Sequence, residues 1–178
     1  MKYKRLAKEQ LEELHQEFIT FLATQSITAE EWSEIKKNRP EVAEEEIDVF
    51  SDLVWERVLN NAEYLEHFSP SQMHLFKLEE KEMKLIAIKV DYPDIDITTK
   101  EGYDWLRNNL IDEKVLFFNS TKAYSDDPNA DKFDLILKGA HITKGELFTY
   151  FEDLTPLFLF KLITGIYVLQ VIFRRKKS

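Results

Sequence analysis

A long helical pattern lies between Pro40 and Pro70, and it contains no glycine. At 100° per residue its apolar side chains fall on one face and a row of carboxylates falls on the other. The pattern predicts a long helix that packs one side on a core and turns the other toward water or a cation. The apolar positions are Ile47, Phe50, Val54, Val58 and Leu65, and the acidic positions are Glu45, Asp48, Asp52 and Glu56.

Composition indicates a globular protein that is rich in helix. Of the 178 residues, 44% are hydrophobic, which is enough for a substantial core, and only 4 are glycine. We expect an α+β fold in which an N-terminal helical half packs on a small β-sheet. Residues 1–153 are predicted to form a single domain, followed over 154–178 by a hydrophobic helix with a basic end.

The charge distribution limits the partners. The formal net charge is −9, although Arg174, Arg175, Lys176 and Lys177 add four positive charges at the end of the chain. The acidic body repels phosphate backbones, so we expect no nucleic-acid binding. The chain has no cysteine, which excludes disulfides and thiolate chemistry and fits a reducing, cytoplasmic setting.

Helix starts are marked by hydroxyl residues followed three positions later by Glu or Gln, because both side chains can satisfy open backbone donors. A helix over about 8–25 precedes the first of these signals, since Leu11, Leu14, Phe18 and Leu22 repeat at helical spacing. The four expected caps are Thr28, Ser69, Thr98 and Thr143.

Two apolar segments around the charged residues 79–82 predict a β-hairpin over about 75–90. A further apolar strand is expected at about 115–119. With a helix after Thr98 between them, the second hairpin strand and this strand suggest a crossover unit with parallel strands. Periodicity does not decide whether residues 131–138 form a helix or an edge strand.

The composition changes at residue 154, where a run of twenty residues carries Lys161 as its only charge. Such a run is about 30 Å long as a helix, which matches the apolar thickness of a bilayer. Two alternatives stay open for 154–173. The segment is either a helix buried in the domain core or a dimer interface, or an anchor that holds the protein on the cytoplasmic face of the inner membrane.

Metal chemistry has weak candidates. Glu12 and His15 have the Glu-x-x-His spacing used in di-iron helical bundles, since residues three apart on a helix project together. No second such motif completes the set. We therefore predict no cofactor and keep Glu12, His15, Glu45, Asp48 and Asp52 as an alternative metal site, with no catalytic residue assigned.

A partner surface is predicted on the flank of the long helix at Trp55 and Leu59. Trp55 projects well away from the apolar stripe, and tryptophan outside a core often anchors a protein interface.

Several segments together resemble a family of small uncharacterised proteins from Bacteroidetes bacteria, over roughly residues 1–153. They are KYKRLAKEQLEELHQEFITFLATQSI, FSDLVWERVL, HLFKLEEKEMKLIAIKV and HITKGELF. The resemblance implies a bacterial, intracellular domain of unknown function and supplies no catalytic residues.

The preferred hypothesis is a non-enzymatic cytoplasmic protein that binds a protein partner or a second copy of itself. A membrane-associated protein anchored by 154–173 and a carboxylate and histidine metal protein or enzyme are the alternatives.

Overall fold

The computed structural model describes residues 1–154, which divide into a helical unit, 1–61, and a sheet unit that begins at residue 62. The helical unit contains α1 (Lys8–Glu13), α2 (His15–Thr24), α3 (Ala29–Asn38) and α4 (Pro40–Asn61). The sheet unit contains β1 (Tyr64–Ser69), β2 (Gln72–Leu78), β3 (Glu82–Val90), α5 (Lys100–Asn108), β4 (Val115–Ala123), α6 (Pro128–Leu137), β5 (His141–Thr143) and α7, which begins at residue 146 and continues to residue 154. The expected α+β class is confirmed, with helices first along the chain.

The first expected helix is present as two segments. Leu14 separates α1 from α2 with φ −93° and ψ 22°, outside the helical region. The predicted capping box at Thr28 is confirmed, and both of its hydrogen bonds are present. Thr28 Oγ1 accepts a hydrogen bond from the Glu31 backbone N–H at 3.2 Å, and the Glu31 carboxylate accepts one from the Thr28 N–H at 2.8 Å.

The other three cap predictions need correction. The residue that caps α5 is Thr99 rather than Thr98, and its hydroxyl accepts from the Gly102 N–H. Ser69 starts no helix, because it ends β1 at the tight turn into β2. Thr143 belongs to β5, and its hydroxyl accepts from the Gly145 N–H, one residue before α7.

The long helix is shorter than predicted. It ends at Asn61, and the segment up to Ser69 forms β1, which pairs with β2. Leu65 is fully buried, as its place on the apolar stripe suggested, but it is buried from a strand. Helical spacing and strand alternation both bring Leu65 to an inner face, so periodicity alone did not distinguish them.

The sheet is entirely antiparallel, in the order β4-β3-β2-β1-β5. The predicted hairpin is confirmed as β2 and β3, and the predicted third strand as β4. The parallel crossover is wrong, because Val115 at the start of β4 lies opposite Val90 at the end of β3. The connection that contains α5 brings the chain back to the end of β3 that it left, so β4 runs antiparallel to β3.

The two faces of the sheet differ in how they are covered. One face packs under α5 and α7, and its buried residues include Leu75, Ile88, Leu106, Phe148 and Phe151. On the other face a smaller cluster around Leu65, Leu78 and Met83 packs against Leu135 and Ile136 of α6. That face continues onto β4, where Leu116 and Phe118 are exposed.

Residues 131–137 are helical, since α6 covers Pro128–Leu137, and Lys138 is the residue at its C-terminal cap. Asp127 caps its start by accepting from the Ala130 N–H. Gly139 follows its end with φ +98°, and the N–H groups of Gly139 and Ala140 bond back to the carbonyls of Ile136 and Leu135. These two bonds form a Schellman motif, which favours glycine at this position.

Candidate functional site

Three carboxylates of the row on α4, Asp48, Asp52 and Glu56, bind the N-terminal residues of the same chain. The Asp52 carboxylate accepts hydrogen bonds from the backbone N–H groups of Lys2, at 2.6 Å, and Tyr3, at 2.9 Å. Glu56 accepts from the Lys2 ammonium at 2.6 Å and from the Tyr3 hydroxyl at 2.7 Å. The acidic face therefore meets cations, as its charge suggested, and they belong to the N-terminus.

Arg5 continues this contact toward the start of α4. Its Nε donates to Asp48 at 2.5 Å, and its Nη1 donates to Glu44. The hydrogen bond from Arg5 lowers the pKa of Asp48, and the bonds to Asp48 and Glu44 raise the pKa of Arg5. The hydrogen bond from Arg5 thus favours the ionised form of the Asp48 carboxylate.

The buried hydroxyl of Ser51 binds the same N-terminal segment. Ser51 has no exposed surface, and its Oγ accepts from the Leu6 N–H at 3.2 Å while donating to the Ile47 carbonyl at 2.7 Å. One turn later, the Trp55 indole N–H donates to the Lys4 carbonyl at 2.8 Å. The segment Met1–Leu6, which we call the N-terminal strap, is therefore bound along α4 by backbone and side-chain groups.

The structure changes the predicted partner surface at Trp55 and Leu59, because only Trp55 keeps exposed surface. Trp55 is half-buried, binds the strap and packs against the aromatic cluster of the helical unit. Leu59 is fully buried and offers no surface to a partner. Partner binding on this flank stays a prediction, and it would depend on Trp55 without Leu59.

The five metal candidates are not gathered into one cluster. Glu12 lies 3.6 Å from the Lys8 ammonium, one helical turn away, and His15 and Glu45 are exposed. Asp48 and Asp52 bind the strap. Within residues 1–154, no group of three or more His, Asp or Glu side chains is placed to hold a metal ion.

An open apolar feature of the helical unit lies between α2 and α4. Phe50 is buried there against Phe18 and Phe21, with ring centroids 5.0 and 5.5 Å away. Beside these rings is a cavity of about 520 Å³, which we call the α2–α4 groove. Its apolar lining consists of Leu14, Phe21, Phe50, Leu53, Val54 and Val58.

Several apolar side chains of this groove are exposed. Leu53 is 52% exposed and Val58 is 37% exposed, although Val58 was expected to face a core. Glu17 and Thr20 on α2 and Arg57 on α4 supply the polar lining. Leu53 lies about 60° outside the predicted stripe. The sequence signal for it was an apolar residue next to the acidic row, directly after Asp52.

The sheet unit has a cavity of about 400 Å³ that is lined in part by Lys84, Thr121, Phe148 and Glu152. Its charged groups are paired within the protein. The Lys84 ammonium donates to Glu79 at 2.7 Å, and this bond raises the pKa of Lys84.

The predicted membrane anchor consists mainly of residues that the structure does not describe. The predicted anchor, 154–173, lies outside the described residues except for Leu154. Up to that residue, every helix is too short or too polar to cross a bilayer.

The chain matches one family of proteins along most of its length. A model for a family of unknown function, DUF6495, matches residues 1–156. The chain belongs to this family. The expected resemblance to a domain of unknown function is thereby confirmed over nearly the same residues, and the family description gives no activity. No curated protein and no solved structure matches the chain.

Proposed function

We propose that this DUF6495 member is a protein-binding domain whose α2–α4 groove receives an amphipathic helix from a partner protein. The observation that supports this most directly is the exposure of Leu53 and Val58 beside a cavity of about 520 Å³. Grooves between two helices commonly bind an amphipathic helix through apolar anchors spaced at i, i+3, i+4 and i+7.

The apolar surface extends beyond the groove itself. Val49, one helical turn before Leu53 on α4, is 48% exposed. Single exposed apolar side chains are common on protein surfaces, but a contiguous set around a concave floor is typical of a binding site. Burial of Leu53 and Val58 by a partner would gain about 25 cal/mol for each Å² of apolar surface removed from water.

Charge indicates the chemistry of the partner helix. Residues 1–61 contain fourteen Asp and Glu residues against eight Lys and Arg residues. Of the basic residues, Lys2 and Arg5 already bind carboxylates of α4. We therefore expect the partner helix to carry Lys or Arg beside its apolar stripe, because complementary charge speeds and directs association.

The test uses three synthetic helical peptides and the full-length protein with isotopic labelling. One peptide has a leucine stripe flanked by lysine, the second has the same stripe flanked by glutamate, and the third has the lysine composition with the stripe scrambled. We expect the first peptide to shift the amide resonances of Leu53, Val54 and Val58, and the other two to bind at least tenfold more weakly.

Leu53→Glu should abolish these shifts by placing a charge in the groove. The matched control is Ile111→Glu, since Ile111 is 76% exposed in the sheet unit and should tolerate glutamate without effect. Shifts confined to residues outside the groove, or equal binding of the scrambled peptide, would contradict the proposal.

We also propose a cellular location and a source for the protein. A cytoplasmic location is supported by the cysteine-free sequence, and a Bacteroidetes source by the resemblance described above. Membrane association through 154–173 and metal binding by α4 carboxylates remain alternatives. The contacts of Asp48 and Asp52 with the strap favour protein binding over metal binding.

A further inference from the structure

The outer edge of β4 is a long strand edge that pairs with no other strand among residues 1–154. β4 has nine residues, whereas β5 at the opposite edge has three. Proteins usually protect such edges with short strands, prolines, bulges or several charges. The sequence of β4, VLFFNSTKA, contains Lys122 as its only charge and has neither proline nor glycine.

The direction of the backbone groups follows from the two ends of the β3–β4 ladder. The Asp91 N–H donates to the Lys114 carbonyl, and the Tyr124 N–H donates to the Lys81 carbonyl. Antiparallel pairing alternates, so even-numbered residues of β4 direct their backbone groups toward β3. Asn119, Thr121 and Ala123 consequently direct their N–H and C=O groups to the outer edge.

We propose that β4 pairs antiparallel with β4 of a second copy of this chain, about a two-fold axis at Asn119, and so joins two five-stranded sheets. This pairing places Asn119 opposite its own symmetry mate and Phe118 opposite Ser120 of the other copy. The two Phe118 side chains then become diagonal neighbours on one face, about 7–8 Å apart, within reach of aromatic contact.

Side chains on that face favour a second copy as the occupant. Phe118 is 53% exposed and Leu116 is 39% exposed, and the two-fold axis lets each Phe118 cover the other. β4 contains no carboxylate, so two acidic chains can approach here without carboxylate repulsion across the joint. A shift that centres the pairing on Phe118 would set Lys114 opposite Lys122, which like-charge repulsion disfavours.

Because the chain has no cysteine, a single introduced thiol can report the register. In the Asn119→Cys variant the two thiols lie on residues about 5.5 Å apart between Cα atoms, which a disulfide can bridge. In the matched Ala123→Cys variant, on the same edge and face, the thiols are separated by roughly 27 Å along the strands. We expect mild oxidation to cross-link the first full-length variant into a dimer and to leave the second as monomer on a denaturing gel.

Sedimentation of the uncross-linked protein tests the association itself. The wild-type chain should be a dimer that Phe118→Glu converts to a monomer, with an unchanged circular dichroism spectrum because Phe118 is exposed. Leu137→Glu, at a 61% exposed site on α6, should leave the dimer intact. A wild-type monomer at every concentration, which would leave the edge for a strand of another protein, would overturn the proposal. Cross-linking of both cysteine variants to the same extent would also overturn it.

Discussion

The aromatic cluster of the helical unit has fewer buried side chains than the main core of the sheet unit, and they are less completely buried. The cluster has four buried members, Leu6, Phe21, Leu22 and Phe50, and none of them is fully enclosed. Among residues 1–154 the sheet core has ten buried members, and Met73, Leu75 and Leu106 have no exposed surface. The helical unit instead adds polar contacts between its N-terminal strap and α4. The exposure of Leu53 is the feature of this unit on which the proposed binding of a partner helix depends.

The largest effect should come from the same substitution made in each unit. Leu75→Ala removes a fully buried side chain from β2 and should lower the free energy of unfolding by about 3–5 kcal/mol. Leu53→Ala removes a side chain that is 52% exposed and should change it by less than about 0.5 kcal/mol. Urea unfolding followed by circular dichroism measures both. Equal losses would mean that the groove is part of a closed core.

The strap is tested next through Ser51. Ser51→Ala leaves the buried Leu6 N–H without its acceptor and should cost about 1–3 kcal/mol. Ser33, which is exposed on α3, provides the matched control, because Ser33→Ala should be nearly neutral. Amide hydrogen exchange should show the loss of protection at Tyr3 and Leu6 in the first variant alone. If both variants behave alike, the hydroxyl does not hold the strap.

Much of the secondary structure followed from local signals, because those signals concern neighbours in the chain. The Thr28 cap, the β2–β3 hairpin and β4 each depend on a few adjacent residues, and each is present. The strand β1 was missed because Leu65 suits a helix and a strand equally. The direction of β4 depends on where the chain re-enters the sheet, and residue patterns within single elements do not encode that position.

The candidate site was less accessible to sequence reasoning. The carboxylates of α4 were identified, but their partners are 39 to 54 positions away, in the strap. Long-range pairing of this kind leaves no periodic signal. The α2–α4 groove was not predicted, because an apolar stripe at helical spacing indicates a core whether or not the neighbouring helix covers it. Val58 on the stripe and Leu53 beside it remain exposed where α2 and α4 leave a gap.

A smaller change in stability is expected at the two helix ends that are followed by a residue in the left-handed conformation. Ser26 follows α2 with φ 61°, and Gly139 follows α6 with φ +98°. Ser26→Gly should stabilise the helical unit by about 1 kcal/mol, because glycine adopts this conformation without the Cβ clash. Gly139→Ser should destabilise the sheet unit by a similar amount, and thermal unfolding measures both. Changes of the same sign in the two variants would contradict this account.

Acid should affect the two units in different pH ranges. Burial, and secondarily the neighbouring His67, lower the pKa of His74 on β2 below its ordinary value of 6.5. The folded sheet unit therefore binds fewer protons than the unfolded chain, and this contribution to stability is present above pH 6.5 and lost as the pH falls through the lowered pKa. The hydrogen bond from Arg5 lowers the pKa of Asp48 below 3.8, so the corresponding contribution in the helical unit is lost only in stronger acid.

Hydrogen exchange resolved by residue can follow this titration from pH 7.5 to pH 3. We expect protection in β1 and β2 to weaken first, and protection at Arg5 and Leu6 to weaken only below pH 4. His74→Gln should remove the first change and Asp48→Asn the second, while His15→Gln, at an exposed position on α2, serves as the control for histidine loss. The comparison fails if the strap loosens in the range where His74 titrates, because Asp48 would then not be held ionised by Arg5.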